Sequence, residues 1–346
     1  MSDSQETSAS SPDGQAVYEL VAAVLSEIAP SVSLDDCEKV DEGQMNTTFL
    51  YPGGVLKIAK EGYQGLTLNV TRAALRGEAV RVRLLTSGLD NTDIQLPVET
   101  PRVIAADPEG AWLALKAYGG HVYSRQEIRR FSAEELKELG RTVGTFTLGT
   151  SQAVDIRTLR QQIGDEQGVI DKPAQFREVL GKLSMFEAMG YANLVELLRS
   201  YVDEYDFAHD FLRQERGLSL IFTHRDLHQG NMSFIGPDGQ RKLKEIFDWA
   251  LAGAGTAAHN FRYLALLSPV ALRAALDYWR EKTDEDISEE LVIACAGLHF
   301  AISCARSIDI TVTGQTINPI AAGNVELLHP QYTWGSELSR VVPARP

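Results

Sequence analysis

The chain has 346 residues and is acidic, with 33 Lys and Arg against 47 Asp and Glu and a formal net charge of −14. Hydrophobic residues make up 44% and charged residues 23%, as in an ordinary globular protein, and the length allows one large domain or two smaller ones. The charge argues against a nucleic acid or an anionic membrane as partner. It is compatible with a cationic substrate, although an acidic surface that serves solubility explains it equally well.

The cysteines and the N-terminal residues indicate the cellular compartment in which we expect the protein. Cys37, Cys295 and Cys304 are an odd number without a C-x-x-C spacing, which fits a reducing compartment. Residues 1–15 are Ser-rich and polar. They lack the basic and apolar regions of a signal peptide, and we expect them to be disordered. The longest apolar stretch, Leu291–Ala305, is short for a bilayer span. We therefore expect a cytoplasmic protein without a membrane partner.

The residues from 16 to 118 predict a β-rich domain with one internal helix. Apolar residues recur with helical spacing over Ala16–Ile28, and an internal helix is predicted over Thr71–Thr86, ended by Ser87-Gly88. Short runs between turn residues predict five strands, near 36–42, 46–51, 54–59, 102–106 and 111–116. The domain is expected to end before the Gly119-Gly120 break.

From residue 119 onward the pattern is mainly helical. Ser132, followed by Glu135 three residues later, has the arrangement of a capping box at the start of a helix over Ala133–Leu148. Apolar spacing predicts five further helices: Ala174–Met189, Ala192–Arg213, Ala257–Leu267, Ala271–Glu281 and Ser288–Arg306.

The strongest functional signal lies within residues 221–250. Asp226 and Asn231 are five residues apart on one loop, and Asp248 follows seventeen residues later. The residues between them predict a hairpin, with strands Met232–Ile235 and Lys242–Phe247, so we expect its ends to come together. Two carboxylates and an amide in this order suit phosphoryl transfer from a magnesium nucleotide. Asp226 is then the catalytic base that orients a hydroxyl, and Asn231 and Asp248 hold Mg²⁺.

Two short blocks carry a family resemblance. Residues 224–231, HRDLHQGN, resemble the H-G-D-L-H-x-x-N signature of the aminoglycoside phosphotransferase and choline kinase family, and Asp248-Trp249 resembles its metal-binding dipeptide. The resemblance extends over roughly residues 36–310. It implies an α+β, two-lobed protein-kinase-like fold, with a small β-rich lobe over 16–118, a larger helical lobe over 119–346 and an active site in the cleft between them.

In that context a lysine and a glutamate of the N-terminal lobe acquire roles. Lys57 is a single cation on the apolar run VLKI, and we expect it to meet the α- and β-phosphates of the nucleotide. Glu78, on the following helix, is expected to orient Lys57. A solvent-facing lysine and a solvated glutamate are the alternatives.

The nucleotide loop and the lobe connector are also assigned by resemblance. Residues 43–48, GQMNTT, resemble the family's G-x-x-N-x-x turn. Backbone N–H groups beginning at Gly43 would approach phosphate oxygens there, and Asn46 or Thr47 would add a side-chain contact. A plain hairpin turn is the alternative. In the connector, the backbone of Lys116 and Tyr118 would hydrogen-bond the purine edge. Because backbone atoms make these contacts, ATP and GTP both stay possible.

The sequence departs from the family pattern at two places. Arg225 stands where the family usually has Gly. In the family's G-D-P-x-x-D-L-A block, which corresponds to residues 255–262, Asn260 replaces the carboxylate that ties down the catalytic loop. We interpret Asn260 as a neutral substitute that accepts backbone hydrogen bonds. His224 and His228 are expected to shape the loop locally, because their proton chemistry is redundant beside Asp226.

The acceptor is less well defined than the reaction. Two acidic groups would attract a cationic substrate, and solvated helix faces are the alternative explanation. They are Asp277, Asp284, Glu285, Asp286, Glu289 and Glu290, and Asp203, Glu204, Asp206 and Asp210. We expect a modest preference for cationic or neutral acceptors over anionic ones.

The sequence therefore predicts an enzyme that transfers the γ-phosphate of Mg-ATP or Mg-GTP to a hydroxyl of a small molecule. Antibiotics, including aminoglycosides and nucleosides, are the first acceptors in view, and metabolic amino alcohols or sugars are the alternative. A nucleotide-binding pseudokinase that regulates a partner is a second hypothesis, supported by the altered 255–262 block. A protein kinase is disfavoured because residues 250–256 are too short for an activation segment.

Overall fold

The computed structural model describes residues 12–40, 46–60, 67–163 and 217–293, together with residues 181, 184, 187, 295, 296 and 299. The chain divides into two compact units. Unit 1 contains the residues up to Asp93, Glu99–Gly120 and Lys244–Leu251, and unit 2 contains Ile94–Val98, His121–Leu243 and the residues from Ala252 onward. The division near residue 120 lies close to the predicted boundary at 118. We did not predict that residues 94–98 would belong to unit 2 and residues 244–251 to unit 1.

Unit 1 is built on a five-stranded antiparallel sheet with the spatial order β1-β2-β3-β5-β4. Its strands are β1 Glu38–Val40, β2 Asn46–Tyr51, β3 Gly54–Ala59, β4 Arg102–Ala106 and β5 Trp112–Lys116. All five were predicted within two residues at each end. The turn signals Pro52-Gly53 and Pro108–Gly110 fix the hairpin ends, since Gly53 and Gly110 have φ of 88° and 79°.

Helix α1, Pro12–Ile28, covers one face of this sheet. Its apolar stripe of Val21, Val24 and Leu25 joins a buried core completed by the following sheet residues: Phe49, Tyr51, Leu56, Ile58 and Ala114. The helix begins four residues before the predicted Ala16, so residues 12–15, which we expected to be disordered, are helical. The rest of that N-terminal segment lies outside the described residues.

Helix α2, Leu68–Asp90, packs against strands β3, β4 and β5. Its buried residues follow a helical stripe: Thr71, Leu75, Glu78, Ala79, Val82 and Leu85. The predicted end at Ser87-Gly88 is wrong, because the helix continues to Asp90. A glycine in a helix costs only about 1 kcal/mol, so Gly88 alone does not end it.

The described part of unit 2 is mainly helical. It contains α3 Arg125–Ile128, α4 Ala133–Ala153, α5 Ile156–Ile163, α6 Ala257–Leu267 and α7 Pro269–Lys282. The predicted capping box of α4 is confirmed, since Ser132 Oγ accepts from the Glu135 N–H and Glu135 accepts from the Ser132 N–H. α4 and α7 approach so closely that a side chain at Gly140 would collide with the Ala271 carbonyl.

Helix α6 is the centre of unit 2, because every one of its residues is buried. It follows a two-stranded antiparallel ribbon in which β6, Ile221–Thr223, pairs with β9, Gly253–Gly255. A single 3₁₀ turn, Gln229–Asn231, leads into the predicted hairpin of β7, Met232–Ile235, and β8, Lys242–Ile246. Residues 224–231, which we call the catalytic loop, therefore begin at the end of β6.

Several predicted helices fall partly or wholly outside the described residues. Ala192–Arg213 lies outside them, and Ala174–Met189 is described at three helical positions only. Of Ser288–Arg306, residues 289–293, 295, 296 and 299 are helical. Within the described part of the chain, no helix is long and apolar enough to cross a membrane.

Candidate active site

A buried lysine in unit 1 is held by two carboxylates. Lys57 Nζ lies 2.7 and 2.8 Å from the two carboxylate oxygens of Glu78 and 2.9 Å from Asp248 Oδ1. The Glu78 carboxylate is fully buried and also accepts the N–H of Trp249 at 3.2 Å. The predicted pairing of Lys57 with Glu78 is confirmed. The contact of Lys57 with Asp248 was not predicted.

The charges of this cluster depend on one another. Burial by itself would lower the pKa of Lys57, but the adjacent Glu78 and Asp248 outweigh burial and raise the pKa well above its ordinary value. Lys57 is therefore a permanent cation at neutral pH. Glu78 can be buried because Lys57 and a backbone N–H compensate its charge, whereas the side chain of Asp248 is 43% exposed and can be reached by a ligand.

The register of strands β2 and β3 decides which side chains share a face with Lys57. Thr48 lies opposite Lys57 and Asn46 opposite Ala59, whereas Thr47 lies opposite Ile58. Because side chains alternate along a strand, Asn46 and Thr48 lie on the face of Lys57 and Thr47 lies on the face covered by α1. Asn46 is buried, and its Oδ1 accepts no hydrogen bond from a described residue. Gly43 lies outside the described residues.

The predicted connector residues are engaged within unit 1. The N–H of Tyr118 donates to Glu245 Oε2 at 3.1 Å, and burial raises the pKa of that glutamate above its ordinary value. Lys116 is the last residue of β5 and lies opposite Gly54 of β3 and Arg102 of β4. Its ammonium lies 5.1 Å from the centre of the Tyr118 ring. The Tyr118 N–H that was expected to meet a purine therefore already has an acceptor.

Two non-glycine residues in the described part of the chain have a left-handed backbone, and both belong to the two sequence blocks. They are Arg225, with φ of 64°, and Asp248, with φ of 63°. Left-handed φ is unfavourable for residues with a Cβ and clusters at functional sites. This conformation explains why glycine suits the position of Arg225 in the family signature. The Arg225 side chain packs on Gly253, where a Cβ would lie 2.9 Å from Nη1.

Helix α6 fastens the catalytic loop through Asn260. Its Oδ1 accepts the N–H groups of His224 at 3.1 Å and Arg225 at 3.4 Å, so the predicted role as a neutral substitute is confirmed. The amide also donates to Thr147 Oγ1 at 3.1 Å, which a carboxylate cannot do. Arg262 donates to the carbonyl of Arg225. The loop is thus held on both sides of the left-handed residue.

Within the loop, Asp226 and Asn231 are joined directly. Asn231 Nδ2 donates to the Asp226 carbonyl at 2.8 Å and lies 3.4 Å from Asp226 Oδ2. His228 Nδ1 accepts the Gly230 N–H at 2.9 Å, and its Nε2 lies 3.7 Å from Asp226 Oδ2. His228 therefore shapes the loop, as predicted.

A tyrosine that the sequence analysis did not identify contacts the predicted base. The hydroxyl of Tyr263, on α6, lies 2.8 Å from Asp226 Oδ1. It also lies 3.0 Å from His299 Nε2 and 3.4 Å from Arg262 Nη2. These residues are more than thirty positions from Asp226 in the sequence, and neither sequence block includes Tyr263 or His299.

Three of the six residues in the acidic group on and after α7 are paired with arginine on the surface. Arg280 contacts Asp277 and Asp286 at 3.3 and 2.9 Å, and Arg273 contacts Glu289 at 3.0 Å. Exposed pairs of this kind are typical of solvated helix faces. The other acidic group, from Asp203 to Asp210, lies outside the described residues.

Comparisons with known proteins agree with this geometry. The phosphotransferase enzyme family matches residues 73–294, whereas no curated protein sequence matches the chain. Three solved structures have the same fold at low sequence identity. The ADP-bound aminoglycoside phosphotransferase APH(2'')-Ib is 17% identical, with a TM-score of 0.57 over 90% of this chain and 97% of that one.

The macrolide 2'-phosphotransferase MphH from Brachybacterium faecium is 15% identical, with a TM-score of 0.55 over 90% of this chain and 96% of that one. A choline/ethanolamine kinase family protein from Mesorhizobium loti is 14% identical, with a TM-score of 0.58 over 93% of this chain and 96% of that one. The predicted α+β, protein-kinase-like fold is confirmed.

Proposed function

Because this chain belongs to the phosphotransferase enzyme family, we propose that it transfers the γ-phosphate of Mg-ATP or Mg-GTP to a hydroxyl of a small molecule. Hydroxylated antibiotics are the acceptors we place first, since an aminoglycoside and a macrolide phosphotransferase share the fold. A metabolic amino alcohol or sugar is the alternative, since a choline/ethanolamine kinase family protein shares the fold as well.

The observation that carries the proposal is the cluster of Lys57, Glu78 and Asp248. A lysine buried for packing alone needs one carboxylate to balance its charge, and Glu78 supplies it at 2.7 Å. The additional carboxylate, Asp248, has a left-handed backbone and a partly exposed side chain. A strained backbone conformation together with a carboxylate that the lysine does not need for charge balance indicates a ligand site at Asp248. We assign Lys57 to the nucleotide phosphates and Glu78 to the orientation of Lys57.

The catalytic loop supplies the acceptor side of the reaction. Asp226 is proposed as the base that orients the acceptor hydroxyl and takes its proton late, as phosphoryl transfer with a loose transition state requires. Its carbonyl is bound by Asn231, and the loop before it is bound by Asn260. The pseudokinase hypothesis relied on the altered 255–262 block. Since Asn260 makes the anchoring hydrogen bonds, that support is lost.

The residues proposed as Mg²⁺ ligands have suitable chemistry. Asn231 uses its Nδ2 on the Asp226 carbonyl, so its amide is oriented with the oxygen available as a ligand. Asp248 adds a partly exposed carboxylate, and Mg²⁺ prefers such oxygen ligands. When bound, the cation neutralises the developing charge on the phosphates.

The nucleotide contacts are proposed with one change from the sequence expectation. Asn46, buried on the face of Lys57 with an unoccupied acceptor, supports a contact with the phosphates together with the backbone near Gly43. Thr48 takes the place of Thr47, whose side chain lies on the face covered by α1. The connector backbone at Lys116 and Tyr118 stays the proposed purine contact. In the case of Tyr118 its carbonyl would serve, because its N–H donates to Glu245.

A panel of acceptors tests the proposal. The full-length protein is incubated with Mg²⁺, labelled ATP or GTP and single antibiotics, amino alcohols or sugars. We expect nucleoside diphosphate and phosphorylated product to form in equal amounts with one acceptor class. Asp226→Asn should lower the rate at which this product forms by about 10²–10⁴-fold, and Asp238→Asn, at an exposed hairpin turn, is the matched control. If no acceptor is phosphorylated and Lys57→Met leaves nucleotide binding unchanged, the proposal is wrong.

A further inference from the structure

A chain of hydrogen bonds in unit 2 ends on the proposed base. It runs from His299 Nε2 to the hydroxyl of Tyr263 over 3.0 Å, and from that hydroxyl to Asp226 Oδ1 over 2.8 Å. The rings of Tyr263 and His299 meet edge to face with centres 5.6 Å apart. Neither sequence block includes Tyr263 or His299, and the proposed function assigns them no role.

The directions of these hydrogen bonds follow from which groups can donate. A tyrosine hydroxyl has one proton, and the guanidinium of Arg262, 3.4 Å from it, can only donate. The Asp226 carboxylate accepts, so the tyrosine proton is directed to Oδ1. The tyrosine oxygen then accepts from Arg262 and from His299, so His299 carries a proton on Nε2.

The environment keeps Tyr263 in its donating form. Burial raises the pKa of its phenol well above the ordinary value; Arg262 acts in the opposite direction, and Asp226 adds to the increase. Tyr263 therefore stays protonated throughout the physiological range. A phenylalanine would fill the same volume in α6, so packing does not explain why a hydroxyl lies here. Only its hydrogen bonds to Asp226, His299 and Arg262 require it.

We propose that Tyr263, oriented by His299, is a positioning residue that holds Oδ1 of Asp226 and leaves Oδ2 to receive the acceptor hydroxyl. This inference rests on the proposed function. In the transfer, the acceptor oxygen bonds to the γ-phosphorus, the bond from phosphorus to the β,γ-bridging oxygen breaks, and the acceptor proton passes to Oδ2. Tyr263 keeps its own proton throughout. His228 Nε2 and Asn231 Nδ2, at 3.7 and 3.4 Å, face the same Oδ2.

The test uses Mg-ATP with water as the acceptor, so that it needs no identified substrate. Tyr263→Phe should lower the kcat for ATP hydrolysis about 10- to 10²-fold, since small misplacements of a catalytic group have effects of that size. The KM for ATP should stay within about twofold, because Tyr263 does not touch the nucleotide cluster. Tyr278→Phe, on α7, is the matched control and should leave kcat unchanged.

A double-variant cycle separates positioning from a general structural effect. If Tyr263 acts through Asp226, adding Tyr263→Phe to Asp226→Asn should lower kcat no further than Asp226→Asn alone. His299→Gln, which keeps an N–H donor, should retain more activity than His299→Leu. Full kcat in Tyr263→Phe, or losses that multiply in the double variant, would overturn the inference.

Two failures are distinguishable. If the wild-type protein hydrolyses neither ATP nor GTP and phosphorylates no acceptor, the proposed function falls. If the wild type is active and Asp226→Asn is not, but Tyr263→Phe matches the wild type, only the inference about Tyr263 falls. The same four proteins are compared by thermal unfolding. Midpoint shifts that add in the double variant would show that the two side chains are not coupled, even without turnover.

Discussion

The two units stabilise their functional groups in opposite ways. In unit 1, Lys57, Glu78 and Asp248 hold one another by charge, at distances of 2.7 to 2.9 Å. In unit 2, Asp226 and its loop are held mainly by neutral groups: Asn231 and Tyr263 donate to Asp226, and Asn260 accepts backbone N–H groups of the loop. A lysine cation and a carboxylate able to hold Mg²⁺ suit a site proposed to receive polyanionic phosphates, whereas neutral hydrogen bonds fix the proposed base, Asp226, in place without a cation bonded to its carboxylate.

The largest effect should follow from removing the exposed carboxylate of the charged cluster. Asp248→Ala should abolish phosphoryl transfer and sharply weaken metal-dependent nucleotide binding, because one of two proposed cation ligands is lost. Calorimetric titration with nucleotide, with and without Mg²⁺, measures this. Asp238→Ala, at an exposed turn, is the control. Full activity in Asp248→Ala would remove the assignment of the site.

The neutral network should respond differently. Asp226→Asn keeps the shape and removes the charge, so turnover should fall by about 10²–10⁴-fold while nucleotide affinity is retained. Steady-state kinetics and a separate binding measurement test this split. A loss of nucleotide affinity in place of turnover would mean that Asp226 is a metal ligand and that the roles have been wrongly divided.

Glu78→Gln tests how much the charged cluster of unit 1 contributes to the free energy of unfolding. It leaves Lys57 with a single carboxylate, Asp248, and replaces a buried ion pair by a neutral contact. Removing one partner of such a pair typically costs about 3–5 kcal/mol. We expect the lower end of that range, because Asp248 still balances Lys57. Denaturant unfolding measures the change, and Glu134→Gln on the exposed start of α4 should leave the free energy of unfolding unchanged.

Variants of Asn260 test the neutral hydrogen bonds of unit 2, with a smaller expected loss of stability. Asn260→Ala leaves the N–H groups of His224 and Arg225 without their acceptor, at a cost of about 1–3 kcal/mol. Asn260→Asp restores the family carboxylate and the acceptor but loses the donor to Thr147, so it should fall between Asn260→Ala and the wild type. Thr147→Val in the Asn260→Asp protein should then have little further effect. If Asn260→Asp is at least as stable as the wild type, the donor to Thr147 is not the reason for Asn260.

The smallest effect is expected from salt. Three of the six carboxylates of the acidic group near α7 are paired with Arg273 and Arg280, so we expect it to offer only a weak field to a cationic acceptor beyond the Debye length of about 8 Å at physiological ionic strength. The KM of the acceptor should therefore change little between low and physiological salt. A steep rise would point to the acidic residues 203–210 and to a polycationic acceptor.

Local signals in the sequence were sufficient for the sheet and for most of the charged cluster. Alternating runs between glycine and proline turns gave the strands of unit 1, and motif context led to Lys57 and Glu78, whose contact is confirmed. The predicted side-chain contact of Thr47 with the nucleotide is not supported, because the strand register places Thr47 opposite Ile58 and away from Lys57.

The neutral network was harder to predict. Tyr263 and His299 lie 37 and 73 positions after Asp226, and nothing in their local pattern distinguishes them from core residues of an apolar helix. Their approach to Asp226 depends on how α6 packs, which is a tertiary property. The left-handed backbone at Arg225 was equally hidden, because arginine gives no signal for positive φ.

The fastening of Arg225 has a consequence for re-engineering this chain. Its N–H is bound by Asn260 and its carbonyl by Arg262, both from α6, so the position of the neighbouring Asp226 depends on that helix as much as on the loop. Transplanting residues 224–231 alone into another scaffold would leave the Asp226 carboxylate without the α6 residues that fix its position. The loop should therefore be transferred together with residues 257–267 and with their partners Thr147 and His299, and libraries that seek new acceptors should keep these residues constant and vary the surrounding surface.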